Sequence, residues 1–320
     1  MRRYPMTLLA GLALAVALVS QAAWAAPGRT VTEIQIPSGD GLQLKAVLNQ
    51  PPGPGPFPTV ITVHGGRGGR DFAFIRTLAT PEGRSPSPTV EMLDRSNWAI
   101  LSIGFRDGAI LGDEEEDVIA ALRYVKRNPS LDRSRVALLG GSHGGNLVLR
   151  TAIRTGDEAA CVVAGAPWMT NPDLYLRGDF ARPPLSDMRP ASVQFMSSTR
   201  NALLAGLTAR GLAGAKLDDV IRDKSIERNA ADIRIPALFL ISEGDIQVPA
   251  RLVEPTIAVM RAAGRRVEVL KVKESGHGYY WGRAGDGLRI EAGPKTPEQL
   301  AEEEQGRAVI QAFLSKCLSR

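Results

Sequence analysis

The sequence predicts an α/β fold, with a mostly parallel twisted sheet, helices on both faces and a mainly helical insertion. Three observations carry this reading. Short runs of β-branched and aliphatic residues, such as 59–63 and 237–241, read as strands buried on both faces. Amphipathic helical stretches alternate with them, and that rhythm builds parallel strands through helical crossovers. From about residue 168 to 230 the rhythm breaks, and the chain becomes rich in Arg, Pro and Met with no clear strand.

In chain order, residues 1–25 are expected to stand apart from the fold. Arg2 and Arg3 precede an uncharged apolar run at 8–19, and Ala23-Trp24-Ala25 offers small residues where a signal peptidase reads. The run is shorter than the ~20 residues a membrane-spanning helix needs. A cleaved secretory leader is therefore expected, with no stable membrane anchor afterwards and export to the periplasm or medium. Residues 26–320 then form one domain carrying the insertion at about 168–230. Residues 30–37 and 42–49 alternate like two half-exposed strands around the turn Ser38-Gly39-Asp40-Gly41. Residues 51–58 form a Pro/Gly loop. Residues 59–63, 98–103, 135–139, 161–164, 237–241 and 267–272 read as buried strands. Helical patterns cover 113–127, 146–154, 253–263 and 298–318, and a helical stretch lies within the insertion near 201–212. The acids of 113–117 suit the positive end of a helix dipole and are expected to form a solvated first turn rather than a calcium loop.

The formal charge of +5 over 320 residues, counting Arg2 and Arg3, is too small and too dispersed for a nucleic-acid partner. Three histidines, no H-E-x-x-H and no dinucleotide fingerprint argue against a metal or another cofactor. The two cysteines, Cys161 and Cys317, lie far apart in sequence. They are expected to be two buried thiols in preference to a disulfide, and neither looks catalytic. Nothing in the sequence specifies an oligomeric state.

Gly140-Gly141-Ser142-His143-Gly144 is a G-x-S-x-G pattern placed between a buried-type strand and an apolar helix. That context makes it a nucleophile elbow, a sharp turn that lifts Ser142 above the strand ends and leaves room for only small residues at 140 and 144. A serine hydroxyl needs a base. His64 closes a strand and opens His64-Gly65-Gly66-Arg67-Gly68-Gly69, which resembles an HGG-type oxyanion loop. The amide of Gly66, or that of Arg67, would donate one hydrogen bond to an oxyanion and the amide of His143 the other. The His64 side chain reads as structural. His277 then remains as the base, past the last strand in a Gly-flanked loop. Asp245, in a turn after the strand at 237–241, is its expected partner, ahead of the competitor Glu243.

The order Ser142, Asp245, His277 is that of the α/β-hydrolases, and the chain resembles that superfamily over essentially its whole length after residue 25. It is most similar to the prolyl oligopeptidase catalytic domain and to dienelactone-hydrolase-like and acetyl-esterase-like enzymes. The residues that carry the likeness are Asp132-Arg133-Ser134-Arg135-Val136, the glycine-flanked Ser142, Ile235-Pro236-Ala237, 245–249 and Gly276-His277-Gly278. The resemblance implies an acyl-enzyme hydrolase acting on a small-molecule ester or a short peptide. Gly141 and His143 replace the aromatic residues that usually flank the peptidases' serine, and no propeller precedes the hydrolase. An ester is therefore the first expectation and a peptide or amide the second. A non-catalytic binding protein on this fold would be expected to have lost a triad member, and all three are present. Trp168 with Met169, and Tyr279 with Tyr280 and Trp281, could line an apolar pocket or simply pack the insertion on the core. Arg67 and Arg70 could hold a substrate carboxylate or face solvent.

Overall fold

The computed structural model describes residues 28–81, 87–281 and 294–319. The expected leader, residues 1–25, lies outside the described residues. Eight strands form one sheet: β1 (Thr30–Pro37), β2 (Gln43–Gln50), β3 (Phe57–Val63), β4 (Ala99–Ile103), β5 (Leu131–Gly141), β6 (Cys161–Gly165), β7 (Ala237–Ser242) and β8 (Val267–Val272). Their order is β1-β2-β4-β3-β5-β6-β7-β8. The β1–β2 and β2–β4 pairs are antiparallel, and every pair from β4 to β8 is parallel. β3 is buried at every position, as its continuous apolar run requires. β8 was expected to be buried on both faces, but it is the edge strand and alternates between exposed and buried positions.

The helices are α1 (Phe72–Arg76), α2 (Pro88–Asp94), α3 (Glu114–Arg127), α4 (His143–Thr155), α5 (Pro172–Arg177), α6 (Pro190–Ala209), α7 (Ala215–Lys224), α8 (Ile226–Asn229), α9 (Ala250–Ala262) and α10 (Pro297–Leu318). α3 and α4 pack on each other and on β3 and β5, and α10 packs with α2 and against β5 to β8. The pleat of β5 shows that these are opposite faces. A Cβ at Gly140 would meet Gly144 of α4, whereas one at Gly141 would meet Tyr280 and Trp281. Between β6 and β7 the chain folds as α5 to α8. Leu176, Met196, Leu207 and Ile221 of this stretch join an apolar cluster of their own, while Ile226 in α8 belongs to the main core.

Two expectations are corrected here. Cys161 and Cys317 form a disulfide, with Cα atoms 6.2 Å apart. Sequence distance misleads because α10, at ~1.5 Å per residue, is long enough to run the whole length of the sheet. It starts beside the loop after β8 and ends beside the first residue of β6. The acids opening α3 are not a solvated turn. Glu114, Glu115 and Asp117 are buried. Asp117 accepts from the Arg106 guanidinium, and Glu115 is paired with Arg150, Arg154 and Lys224. Burial works against the Glu115 carboxylate, but Arg150 and Lys224 outweigh it and hold its carboxyl below the usual range.

The disulfide closes a loop between residues 156 apart, so reduction, or Cys317→Ser, is expected to cost about 2–5 kcal/mol of stability. Thermal melts with and without reductant measure this, and an unchanged melting curve for the fully reduced protein would contradict it.

Candidate active site

At the end of β5 the chain turns at Ser142 into α4. Ser142 has φ 56° and ψ −119°, a conformation that L-residues rarely adopt and that costs on the order of 1–3 kcal/mol. Packing leaves the chain little other path. A Cβ on Gly144 would stand 2.2 Å from the Val63 carbonyl oxygen, and one on Gly140 would stand 2.3 Å from that of Gly144. The Ser142 N–H donates to Gly165 O at 2.8 Å, and its carbonyl accepts from the N–H groups of Asn146 and Trp168, each at 3.0 Å. With both backbone groups bonded, the half-buried hydroxyl is the chemical group the turn presents.

β7 and β8 supply the acid and the imidazole. Asp245 is buried. Its Oδ1 accepts the N–H groups of Gln247 (2.8 Å) and Val248 (2.9 Å), which leaves Oδ2 to face His277 Nδ1 at 2.7 Å. A carboxylate only accepts, so Nδ1 carries the hydrogen and the basic lone pair of the neutral ring sits on Nε2. Glu243 is directed outward and pairs with Lys271 at 2.8 Å, which decides between the two acids. The two loops are fastened together. Ser242 Oγ donates to Ser275 O, and a Cβ on Gly244 would lie 2.5 Å from that same oxygen. Glu302 of α10 accepts the N–H groups of Lys273 (2.8 Å), Glu274 (3.1 Å) and Ser275 (2.7 Å). Burial opposes the Glu302 carboxylate, but these donors hold its carboxyl below the usual range.

The loop after β3 passes beside the serine, since a Cβ on Gly65 would lie 3.0 Å from Ser142 Cβ. Gly66 has φ 72°, a region that favours glycine. His64 is buried and stacks on Phe105 with ring centroids 4.4 Å apart. Burial, together with Arg70 and His143 nearby, pushes its pKa down to about 4. The ring is therefore neutral near pH 7.

Among the residues that the sequence linked to substrate, Trp168 donates its backbone N–H to Ser142 O at 3.0 Å. It follows β6, and with Met169, Tyr175, Met196, Val248 and Leu252 it lines a small cleft to which Thr170, Asn171 and Gln247 add polar groups. Tyr279 is corrected. It is 4% exposed, packs over Gly306 of α10 and directs its hydroxyl to Ile241 O at 3.5 Å. Tyr280 and Trp281 are also buried, against Gly141. These three aromatic residues pack the core. The Arg67 side chain is 82% exposed and lies 3.5 Å from Asp107, while Arg70 lies over the Phe74 ring. Sequence reasoning missed Glu302 and the buried ring of His143. Among the described residues, no group of three or more His, Cys, Asp and Glu is placed to hold a metal ion.

Comparison with known proteins gives a family, relatives by sequence and similar solved structures. Residues 112–281, a span that includes Ser142, Asp245 and His277, match a family described as alpha/beta hydrolase fold. An uncharacterized peptidase of Bacillus subtilis, YtmA, is 26% identical over 126 residues, which is 39% of this chain and 47% of that protein. The acylamino-acid-releasing enzyme of Sus scrofa is 24% identical over 255 residues, 74% of this chain and 31% of that protein. The chain thus spans less than half the length of these curated relatives. Among solved structures, an esterase of Pyrobaculum calidifontis superposes with a TM-score of 0.61 at 19% identity, over 90% of this chain and 85% of that one. At that identity the likeness concerns the fold alone.

Two outcomes follow from the geometry. The His64 pKa of about 4 lies below its ordinary 6.5, so between these values the unfolded chain binds the extra proton. The contribution of His64 to stability is full above about pH 6.5, and about 3 kcal/mol of it is lost as the pH drops to about 4. Chemical denaturation at several pH values measures the slope, and His64→Phe should flatten it. An identical slope in the variant would refute the assignment. Glu302→Ala removes the acceptor of three backbone N–H groups and should cost about 1–3 kcal/mol. It should also speed hydrogen exchange at residues 273–275, and unchanged exchange there would contradict the anchoring role.

Proposed function

This chain belongs to the alpha/beta hydrolase fold family, and on that footing we propose that it is a serine hydrolase with Ser142 as nucleophile. The carrying observation is the 2.7 Å pairing of Asp245 Oδ2 with His277 Nδ1, in the loops after β7 and β8, which β6 separates from the strand that ends at the strained Ser142. Ser142 Oγ attacks the substrate carbonyl carbon while His277 Nε2 takes the hydroxyl proton. Asp245 keeps the ring in the tautomer that allows this and stabilises the imidazolium. The amides of His143 and Gly66 receive the developing oxyanion. As the carbonyl re-forms, the bond to the leaving group breaks, and that group departs with the proton from His277. Water, deprotonated by the same ring, then releases the acyl group as a carboxylic acid and restores Ser142.

We favour a carboxylic ester over a peptide. The cleft beside Trp168 is small and more apolar than polar, and Arg67, the candidate for a charged subsite, faces solvent. The esterase superposes over most of both chains. Hydrolysis of an acylated peptide is the second reading, carried by the relatives that are peptidases. In this proposal the helices between β6 and β7 act as a cap over the site. The Cys161–Cys317 disulfide supports an oxidising compartment, in keeping with a cleaved leader and export.

A fluorophosphonate probe should label the wild type at Ser142 and leave Ser142→Ala unlabelled. His277→Ala and Asp245→Asn should each lower kcat by roughly 10³-fold or more. p-Nitrophenyl acyl esters should be turned over much faster than peptide p-nitroanilides. An unlabelled wild type would defeat the hydrolase reading, and equal turnover of anilide and ester would reverse the choice of bond.

A further inference from the structure

The residue after the serine carries a ring that the proposed mechanism does not use. His143 is buried, and its Nδ1 lies 3.0 Å from the Gly66 carbonyl oxygen. Its Nε2 lies 3.3 Å from Glu114 Oε1. Phe105 and Trp168 stand edge-on to the ring, with centroids 5.2 and 5.6 Å away, and fix its plane. Glu114 is held in turn by the Gly112 N–H at 3.1 Å and by Arg150 Nη1 at 3.5 Å. A carbonyl only accepts, so the ring donates its Nδ1–H to Gly66 O, while Nε2 and Glu114 Oε1 stand close without forming a hydrogen bond. The result is a brace that runs from the first turn of α3, through the first residue of α4, to the loop after β3.

The far end of that loop is fastened by the Gly69 N–H, which donates to Phe105 O at 2.8 Å, and by Arg70 Nε, which donates to Arg67 O at 3.1 Å. Residues 65, 66, 68 and 69 are glycines, and glycine has the largest backbone freedom to lose. Gly66 is itself solvent-exposed. The His64 Nδ1, 2.9 Å from Gly65 O, meets the peptide plane on the amide side of Gly66, and the His143 ring pins the plane on its carbonyl side. Resting on the serine-hydrolase reading, we propose that the His143 side chain is a positioning residue. By fixing the Gly66–Arg67 peptide plane it limits rotation at Gly66, and so keeps the Gly66 amide and the His143 amide aimed at one point, where the oxyanion meets both donors together.

The test exploits atom positions. Asn at 143 places an N–H₂ where Nδ1 stands and keeps the bond to Gly66. Gln places one where Nε2 stands, beside Glu114 and out of reach of Gly66. Leu keeps neither. For an aryl ester, His143→Leu and His143→Gln should lower kcat by about 10²-fold, the loss expected from a misplaced oxyanion donor, with KM nearly unchanged. Inhibition by an alkyl trifluoromethyl ketone, whose serine adduct carries an oxyanion, should weaken by the same factor. His143→Asn should recover most of both losses. Equal losses in the Asn and Gln variants, a folded Leu variant with wild-type kcat, or a change confined to KM would each overturn the proposal. If melting curves show the Leu variant unfolded, the Asn–Gln contrast decides. A wild type that fails to react with fluorophosphonate removes the hydrolase reading and this inference together, whereas a reactive wild type with no Asn–Gln contrast removes the brace alone.

Discussion

The structure depends on one close approach of backbone to backbone. Gly144, in the first turn of α4, lies against the end of β3 so closely that a methyl group there would overlap the Val63 carbonyl oxygen. This contact draws α4 down onto the sheet and forces the chain through the conformation seen at Ser142. The strain is sustained because β3, β4, β6 and the half of β5 that leads into the turn are buried, so relaxing the turn would mean repacking the core. The same contact sets the serine beside the loop after β3.

Around this point the protein spends polar groups in the interior, where each needs a partner. Asp245 is satisfied by two amides and an imidazole. The acids of α3 are met by Arg106, Arg150 and Lys224. Lys224 ends α7, so the buried Glu115 also ties the helices between β6 and β7 to the core. In the proposed mechanism these pairs hold the geometry without entering the chemistry. Removing one partner from such a pair strands a buried charge, which is far more costly than losing a surface ion pair.

The sheet was largely legible in the sequence, because continuous apolar runs such as 59–63 have few other destinations. The serine turn was legible because glycine spacing reports steric crowding directly. The order of Ser142, Asp245 and His277 followed from where each stands relative to a strand end. What escaped depends on side chains meeting across long sequence separations. Cys161 and Cys317 meet through the length of α10, and Glu302 reaches the loop after β8 from a helix that ordinary amphipathic reading treats as cover. The acids of α3 read as a solvated turn because periodicity does not reveal which charges will be buried with partners. Tyr279 read as pocket-lining from its position after His277, but Gly306 opens a slot for its ring in the core.

The central claim is that the corner at residue 142 presents a nucleophilic alcohol to an imidazole and to two backbone amides at once. A crystal structure of the protein inactivated by a phosphonate ester tests it most directly. The account predicts phosphorus bonded to Ser142 Oγ, a phosphoryl oxygen about 2.7–3.1 Å from the amides of His143 and Gly66, and the His277 ring within hydrogen-bonding reach of the adduct. Phosphorus on another residue, or an adduct at Ser142 whose oxygen points to solvent with the ring of His277 turned away, would contradict it.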